Sequence, residues 1–419
     1  MSETGAPHED SGRRFPTGLV LFLLALHVLN QIDRQLIAAF AADIMRDLEL
    51  SRGQFALIAG LAFSGFYAFA ALIAGALADR LGRVRVLSTG LGIWTLFTAL
   101  AGLASGFWTL LAARPFVAAG EATLVPTASN IILAKVDYRH KAAALGLFFS
   151  GIPLGIGGGF LIAGALGPLL GWRGTFLVMG ALGIAALSLL VRLKDDPPDL
   201  AHRPTIAGNI AELMAVYRTK PRAMWASLSI ILAHCHTATG PFVQLWLVSD
   251  KNLNPAQAQT LYGLMFVSVG LVGTFGAGAL GDLFQSRLGW DRARTAFLIL
   301  LVLGPLLPLY RLANPDSPAF LIGMTGSILF MTALYGLVFA VIEELLPQRL
   351  KATSTGLNML LINVFAIGMV SLAIGYASDR LVASGSAQSW TMPLMAADAL
   401  ALLAIPCAFL AMRGARLVD

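Results

Sequence analysis

Four ionisable side chains lie inside long apolar stretches of this 419-residue sequence. Asp33 and Arg34 are adjacent near the middle of the first stretch, and Arg114 and Glu121 are seven residues apart in a later one. Seven residues are close to two helical turns, so Arg114 and Glu121 would share one helix face, about 10 Å apart along the axis. A charge at the centre of a bilayer costs at least ~2.5–3.5 kcal/mol on insertion scales. If these stretches cross a membrane, each charge needs a partner or a water-filled cavity.

Two kinds of chemistry suit these residue types. A carboxylate whose surroundings alternate between a closed cavity and an arginine can take up and release a proton, and we predict this role for Asp33 and Glu121. A guanidinium grips phosphate through two hydrogen bonds, so Arg34 and Arg114, with Asn30, are predicted to bind an anionic substrate group. Protonation of a carboxyl would release its arginine for the substrate. The alternative is a set of structural salt bridges.

The elements that must position these charges are membrane helices. Hydrophobic residues make up 57% of the chain and charged residues 12%, whereas a soluble domain carries roughly a quarter charged residues. So few charges cannot cover a water-facing surface, so lipid must contact most of the protein. Cys235 and Cys407 lie in apolar stretches without an obvious partner, and we expect no disulfide, metal site or cofactor.

Twelve apolar runs are long enough to cross a bilayer core, which takes about 20 residues of helix. The predicted spans are 17–44, 53–78, 84–104, 107–134, 142–166, 173–192, 223–249, 257–283, 293–312, 318–345, 352–380 and 390–412. The sequence therefore predicts an all-α membrane protein with twelve transmembrane helices.

The distribution of basic residues predicts the orientation and the division of the chain. Most of the 29 Lys and Arg residues fall at one set of span ends, which we predict to be cytoplasmic because cytoplasmic loops retain basic residues. Both termini would then be cytoplasmic, in a multi-pass protein of the cell inner membrane. The longest polar stretch, 194–222, contains Pro197, Pro198 and Pro204. We predict that it is a cytoplasmic linker between two six-helix halves, 1–193 and 223–419.

A short motif follows the second span and recurs after the eighth. The first copy, from Gly75 to Arg85, reads Gly-Ala-Leu-Ala-Asp-Arg-Leu-Gly-Arg-Val-Arg, and the second is Gly278-Ala-Leu-Gly-Asp282. Its recurrence at corresponding places indicates duplicated halves. We predict that the charged residues of the motif latch the halves as gates, namely Asp79, Arg80, Arg83, Arg85 and Asp282. For the arginines the alternative is a topology signal alone. In the second half the matching latch would consist of Asp282 with Arg287, and of Glu343 and Glu344 near Arg349 and Lys351. The alternative is that these helix-end charges are only solvated.

With twelve spans and a basic linker, the motif from Gly75 to Arg85 resembles the signature of the major facilitator superfamily. Roughly residues 25–190 are further similar to its spinster-like branch, through segments 29–35, 62–67, 113–122 and 171–173 and through Trp94. The resemblance implies parallel halves built from nested inverted repeats, with the first and fourth helices of a half beside the central cavity. It also implies export of lysolipids or sphingosine phosphates, which many members are thought to couple to protons.

Three functions are open. The first is proton-coupled secondary active transport, by alternating access, of an amphipathic anionic lipid such as a lysophospholipid or sphingosine phosphate. The second is proton-coupled symport of a small organic anion, a sugar acid or another carboxylate. A mostly apolar cavity favours the first, and further polar groups favour the second. The third is a membrane-embedded lipid enzyme, for which the sequence offers no His-Glu-x-x-His pair, Gly-x-Ser-x-Gly elbow or phosphate loop as support. We expect no catalytic residues.

The expected partners are the small-molecule or lipid substrate, protons and membrane lipids. The basic residues are dispersed between apolar runs, so nucleic acid is not expected, and we predict a monomer. His234 and His236 of the seventh span, with Thr237, Thr239 and Gln244, would either line the cavity or be satisfied by neighbouring helices, and we expect packing for both histidines. The glycine-rich run from Gly151 to Gly159 has no strand before it, which argues against a dinucleotide site. We expect its small residues to let helices approach closely.

Overall fold

The computed structural model describes residues 16–194, 206–386 and 388–413, and among these it contains helices and turns but no strand. The side chains of residues 79, 206–209, 335 and 352 are outside the description as well. The predicted cytoplasmic placement of both termini, and the middle of the predicted linker, fall on residues outside the described ranges.

On either side of the stretch 191–205, most of which lies outside the description, the helices follow one another with short connections. In the first half they are Thr17–Ala39, Ala41–Asp47, Arg52–Ala56, the π-helical Leu57–Leu61, Ala62–Leu81, Arg83–Gly102, Phe107–Glu121, Leu124–Lys135, the 3₁₀ turn Tyr138–His140, Lys141–Phe149 and Gly151–Leu190. In the rest of the chain they are Ile206–Thr219, Pro221–Ala233, the 3₁₀ helix Thr237–Phe242, Val243–Ser249, Pro255–Leu288, Arg292–Leu303, Leu306–Leu312, Pro318–Leu345, Gln348–Leu361, the π-helical Ile362–Met369, Val370–Ala383, Thr391–Leu402 and Ala404–Arg413.

Ten of these helical stretches are long and apolar enough to cross a membrane. One of them, Tyr138–Leu190, contains Gly171 at φ +64°, a non-helical residue that separates the predicted fifth and sixth spans. The predicted seventh span is divided into the three short helices between Pro221 and Ser249, so no single helix there is long enough. The all-α fold is thereby confirmed, and the helices are consistent with twelve spans. We number the spans by this order.

The first and fifth spans approach each other closely along the glycine-rich run. A Cβ atom added at Gly155 would lie 2.4 Å from the Cβ of Gln31, and one added at Gly159 would lie 2.8 Å from the Cβ of Gln35. Both glycines are therefore needed for backbone contact between the helices. The expected role of the run in close packing is confirmed.

The halves are joined at the end of the bundle opposite the linker, which we call the clasp end. Arg52, at the start of the second span, donates from its backbone N–H to Asp379, as does Gly53, at 3.0 and 2.8 Å. The Arg52 guanidinium donates to the hydroxyls of Ser378 and Ser389, at 2.5 and 2.6 Å. These bonds connect the second span with the end of the eleventh and with the loop that follows. They close this end of the molecule.

Two further contacts support that closure. Gln259 in the eighth span donates to the carbonyl oxygen of Ala39 at the end of the first, at 2.9 Å. A Cβ added at Gly375 would lie 2.4 Å from the Cβ of Ala56, so the second and eleventh spans touch through their backbones. The clasp end is thus shut by both hydrogen bonds and close packing.

The predicted linker contains a helix, Ile206–Thr219, that packs on the second half. The Tyr217 hydroxyl is 2.9 Å from the hydroxyls of Ser227 and Ser354, and Glu212 forms an ion pair with Arg349. The linker is therefore partly ordered against the helices that follow it. The bounds 1–193, 194–222 and 223–419 of the two halves and the linker stay a prediction.

Candidate functional site

Arg34 and Glu121 form an ion pair between the first and fourth spans. The Nε and Nη2 atoms of Arg34 are each 3.1 Å from Oε2 of Glu121. The Glu121 side chain is fully buried, whereas 25% of the Arg34 side chain is exposed. The pair therefore joins a fully buried carboxylate to an arginine whose side chain is partly exposed.

Glu121 is not paired with Arg114, the residue that shares its helix. Two helical turns separate the two residues along the axis, which is too far for a direct bond, and Arg34 of the neighbouring helix lies at the level of the carboxylate. Arg114 instead donates from Nε to the carbonyl oxygen of Ile58 at 3.3 Å. Ile58 belongs to the π-helical turn Leu57–Leu61 of the second span. A π turn rearranges the backbone bonds and leaves a carbonyl available to a side chain.

Two aromatic rings of the second span lie against the arginines, and one of them, Phe63, contacts both. The Arg34 guanidinium lies 4.9 Å from the centre of the Phe63 ring and 4.4 Å from that of Tyr67. The Arg114 guanidinium lies 4.4 Å from the same Phe63 ring. An aromatic face attracts a cation by its quadrupole, and here it also keeps the two positive charges apart.

Asp33 has a different environment from its neighbour Arg34. Its Oδ2 accepts a hydrogen bond from Nε1 of Trp94 in the third span, at 2.9 Å. Its Oδ1, like Nδ2 of the buried Asn30, has no hydrogen-bond partner among the residues that the structure describes. The predicted constellation is thus brought together, but Asp33 is bonded to an indole instead of an arginine.

The predicted gate residues are distributed over both motif copies. Arg83 donates to the carbonyl oxygen of Asn130 at 3.3 Å. Arg80 is exposed. Arg85 lies in the first turn of the third span, which begins at Arg83. The side chain of Asp79 lies outside the described part of the chain. The gating role of this copy stays a prediction.

In the second copy Asp282 and Glu344 have partners other than those expected, and the gating role of Asp282 stays a prediction. Asp282 pairs with Arg292 at 2.9 Å instead of with Arg287, and Arg292 also bonds Glu344, for which Arg349 or Lys351 was expected. Gly289, at φ +64°, ends the eighth span and turns the chain so that Arg292 begins the ninth beside Asp282. These contacts join the eighth, ninth and tenth spans within one half.

A second buried charged cluster, whose residues were not among the predicted site residues, lies in the C-terminal half. The Asp398 carboxylate accepts from Nε of Arg311 at 2.8 Å and lies 2.6 Å from Nδ1 of His236. His236 Nε2 is 2.9 Å from the Ser327 hydroxyl, and Arg311 Nη2 donates to the Thr239 hydroxyl at 2.9 Å. All five side chains are buried.

A signal for this cluster exists in the sequence. Asp398 is a carboxylate inside the apolar run of the last span, just as Asp33 and Glu121 are carboxylates inside apolar runs. Arg311 lies at the end of its predicted span, where a basic residue is typical of a loop, and for His236 packing was expected over cavity lining. The carboxylate of Asp398 inside an apolar run is the sequence feature that indicates a buried charged cluster here.

The model of the Major Facilitator Superfamily matches residues 23–368, most of the chain. The protein spinster of Drosophila melanogaster is 30% identical over 177 residues, which cover 42% of this chain and 29% of that protein. The 3-(3-hydroxy-phenyl)propionate transporter of Escherichia coli (strain K12) is 25% identical over 408 residues, covering 96% of this chain and 94% of the relative. The match to spinster thus spans less than a third of that relative.

Solved structures show the same architecture. A bacterial homolog of the human lysosomal transporter spinster, crystallised in an inward-facing and occupied conformation, superimposes with a TM-score of 0.81 at 23% identity. The match covers 95% of this chain and 97% of that one. The resemblance to spinster proteins is confirmed, and the chain belongs to the Major Facilitator Superfamily of membrane transporters.

Proposed function

We propose that this transporter moves an amphipathic anionic lipid, of the lysophospholipid or sphingosine phosphate class, together with protons. The observation that carries the proposal is the ion pair of Arg34 and Glu121. It combines a fully buried carboxylate with an arginine whose side chain is a quarter exposed. Such a pair offers a proton acceptor and an anion-binding group in direct contact, so occupation of one affects the other.

The substrate would bind where charge and apolar surface meet. Arg34 presents a guanidinium that can bond a phosphate through two N–H groups. The rings of Phe63 and Tyr67 lie against that guanidinium and supply apolar surface beside it. Arg114 and Asn30, both buried nearby, would reach the substrate only after a change of conformation. A headgroup on Arg34 with an apolar tail along the second span fits this arrangement.

Proton coupling would follow from exchange of partners. A proton on Glu121 removes the negative charge that holds Arg34 and leaves the arginine without a counter-ion. A substrate anion then supplies the missing charge, so the proton and the substrate favour each other's binding. Asp33, whose described hydrogen-bond donor is Trp94, is the second proposed proton carrier.

Alternating access requires that the clasp end open. The predicted orientation places the clasp end outside and the linker end in the cytoplasm of a cell inner-membrane protein. The bonds of Arg52 and Gly53 to Asp379 would break as the halves rock, and the motif around Asp79 and Asp282 would close the opposite end. We propose that the unit that does this is a monomer.

A small organic anion is the second candidate substrate. Its support is the polar cluster of His236, Arg311 and Asp398, since further polar groups inside the protein favour a small anion over a lipid. The relative that matches nearly the whole chain is named for 3-(3-hydroxy-phenyl)propionate transport. In either case we propose that the substrate leaves chemically unchanged, as from a carrier and not from an enzyme.

Uptake by the purified protein in liposomes tests the proposal. Labelled lysophosphatidylglycerol and labelled glucuronate would be compared with and without an imposed pH gradient, against protein-free liposomes. We expect lysolipid movement that the gradient accelerates. Glu121→Gln should lose at least tenfold of the gradient-driven rate, because Arg34 then keeps a neutral partner and no proton is exchanged. Glu49→Gln, a change of the same type at an exposed position, should behave as wild type.

Each outcome has one meaning. Movement of glucuronate alone would support the second candidate. Gradient-dependent lysolipid movement by Glu121→Gln at the wild-type rate would contradict the proton role of Glu121. If neither compound moves, or if the lysolipid is hydrolysed, the proposal is wrong.

A further inference from the structure

The buried cluster of the C-terminal half has no part in the proposed role of the N-terminal pair. Its members come from four spans: His236 from the seventh, Arg311 from the ninth, Ser327 from the tenth and Asp398 from the twelfth. With His236 neutral, the charges of Arg311 and Asp398 balance. Balanced pairs of this kind can be architectural, so a ligand must be argued from something else.

That further observation is a small cavity with unused donors. Tyr310 and Arg311 line it together with His236, Thr239 and Tyr262. The cavity has about 10 Å³ of space for the centre of a water molecule, which is room for roughly one water. Nη1 of Arg311 and the hydroxyl of Tyr310 are buried and have no hydrogen-bond partner among the described residues. Buried donors without acceptors need an acceptor from outside the chain.

We infer that Arg311, Tyr310 and Thr239 form a second anion-binding site, which takes the carboxylate or phosphate group of the transported molecule when His236 is protonated. The inference deepens the proposed function, because it gives the C-terminal half its own contact with the same anionic group. Arg311 keeps its Nε on Asp398 and offers Nη1 to the ligand.

Charge balance links the anion to a proton. Protonation of His236 gives the cluster a net charge of plus one in a buried site, which is costly unless an anion enters. An anion beside Arg311 would in turn be costly without that proton. Each ligand therefore strengthens the binding of the other by the same factor.

Other titratable groups surround His236 and belong to the same balance. Asp398 faces it from the twelfth span, Arg311 and Tyr310 from the ninth, and Tyr262 from the eighth. On its own span, the neighbouring titratable residues are His234 and Cys235. Among these, Asp398 is the one in direct contact with the imidazole, at 2.6 Å.

One wall of the cavity lies at the contact between the halves. Tyr262 packs edge-on against Phe160 of the fifth span, with ring centres 4.7 Å apart. A Cβ added at Gly157 would lie 2.5 Å from the carbonyl oxygen of Gly263, so the fifth and eighth spans touch by their backbones here. Rocking of the halves must move Tyr262 and change the size of the cavity. The site would therefore open and close with the transport cycle.

Fluorescence of Trp246 gives a local test. The Arg311 guanidinium lies 4.9 Å from the centre of the Trp246 ring, so an anion beside Arg311 should change its emission. The signal is the difference between the full-length protein and Trp246→Phe. The probes are 3-phenylpropionate and phenyl phosphate, which share a ring and differ in the anionic group. We expect at least one probe to bind, with an affinity roughly tenfold higher at pH 5.5 than at pH 7.5.

Three variants separate the possibilities. The double variant Arg311→Gln/Asp398→Asn removes both charges together and should lose at least tenfold in affinity while eluting as a single folded species. His236→Gln should bind with an affinity that does not change between the two pH values. Glu49→Gln, at an exposed position outside both sites, should keep the Trp246 signal. The signal reports binding of the probe and not uptake, so a failure of the proposed uptake function stays distinguishable. The probe with higher affinity identifies the group as carboxylate or phosphate.

The inference is overturned if neither probe changes Trp246 emission at either pH, because the cavity then holds only water. It is equally overturned if the double variant, folded, binds as wild type.

Discussion

At the scale of residues, the buried charges of the N-terminal half differ in how many partners they have. Glu121 accepts two N–H contacts from Arg34, whereas Asp33 accepts one, from Trp94. A buried carboxylate loses its contacts with water and depends on the few donors that remain. The indole of Trp94 is therefore as much a part of the site as the charged residues are.

The first prediction concerns that indole. Trp94→Phe keeps most of the buried ring but removes the donor to Asp33, so we expect the protein to lose about 1–3 kcal/mol of stability. The apparent Tm of the purified protein in detergent measures the loss. Trp108→Phe, at a side chain that is 76% exposed, is the matched control and should leave Tm unchanged. Equal Tm values for Trp94→Phe and wild type would show that Asp33 does not depend on the indole.

The position of these charges followed from the sequence, but their pairing did not. Glu121 and Arg114 share a helix, and spacing along one helix was the only distance that the sequence offered. The actual partner, Arg34, lies on a different helix, and its position depends on how the first and fourth spans cross. The cluster around Asp398 was not predicted for the same reason, because its members lie on different helices and are up to 162 residues apart along the chain.

At the scale of elements, glycine residues determine which helices touch. The glycine-rich run of the fifth span meets the first span at Gly155 and Gly159, and it meets the eighth span at Gly157. Because the first span carries Asp33 and Arg34, this packing sets the depth at which those charges lie. The local function of the run was predictable, since small residues allow close approach. The identity of the partner helices was not.

The second prediction compares two glycines of the same run. In Gly155→Ala the new methyl group would lie 2.4 Å from the Cβ of Gln31 and 2.7 Å from the carbonyl oxygen of Val28, so a backbone must move. We expect a loss of about 1–3 kcal/mol, seen as a lower apparent Tm.

Gly158→Ala is the control for this prediction. Its methyl group would meet Ile32 at 3.6 Å, an ordinary contact, and alanine favours a helix over glycine by roughly 0.5–1 kcal/mol. Tm should therefore stay equal or rise. The close-packing account fails if the two variants have the same Tm.

The seventh span is broken, whereas the sequence predicts one continuous helix. Its apolar composition predicts a continuous helix over 223–249, but the structure has a break from His234 to Phe242. Pro241 lacks an N–H and Gly240 has low helix propensity, so the local sequence permits the break. The bond of Thr239 to Arg311 and the bonds of His236 show why tertiary contacts favour it.

At the scale of the whole molecule, the clasp end joins the two halves. Asp379 accepts from two backbone N–H groups at the start of the second span, and the Arg52 guanidinium lies over the Trp390 ring at 4.5 Å. The close approach of Gly375 to Ala56 lets these bonds form. A transporter with alternating access must be able to separate these surfaces.

The third prediction is that a bulky residue at Gly375 keeps the clasp end open. A Cβ there would lie 2.4 Å from the Cβ of Ala56 and 2.6 Å from the Arg52 carbonyl oxygen, so a leucine cannot fit in the closed state. Spin labels at Trp108→Cys and Leu312→Cys, both exposed at the clasp end, should report a longer distance in Gly375→Leu. The native cysteines are buried. Substrate uptake should fall at least tenfold, because one of the two states is blocked.

Ala377→Leu is the matched control for the clasp. Ala377 lies on the same helix but is exposed, so its side chain can grow without meeting the second span. The label distance and the uptake should equal those of the parent protein. A normal label distance in Gly375→Leu would contradict the role given to this contact.

The sequence by itself determined that this protein is a bundle of membrane helices with charges at its centre. Hydropathy and the cost of burying a charge act along a single segment, so Asp33, Arg34, Arg114 and Glu121 could be recognised one helix at a time. The tertiary structure decided that Arg34 holds Glu121, that Trp94 holds Asp33, and that His236, Arg311 and Asp398 meet. Those contacts depend on how helices that are far apart in the chain cross each other. The spacing of residues within one helix does not predict that crossing.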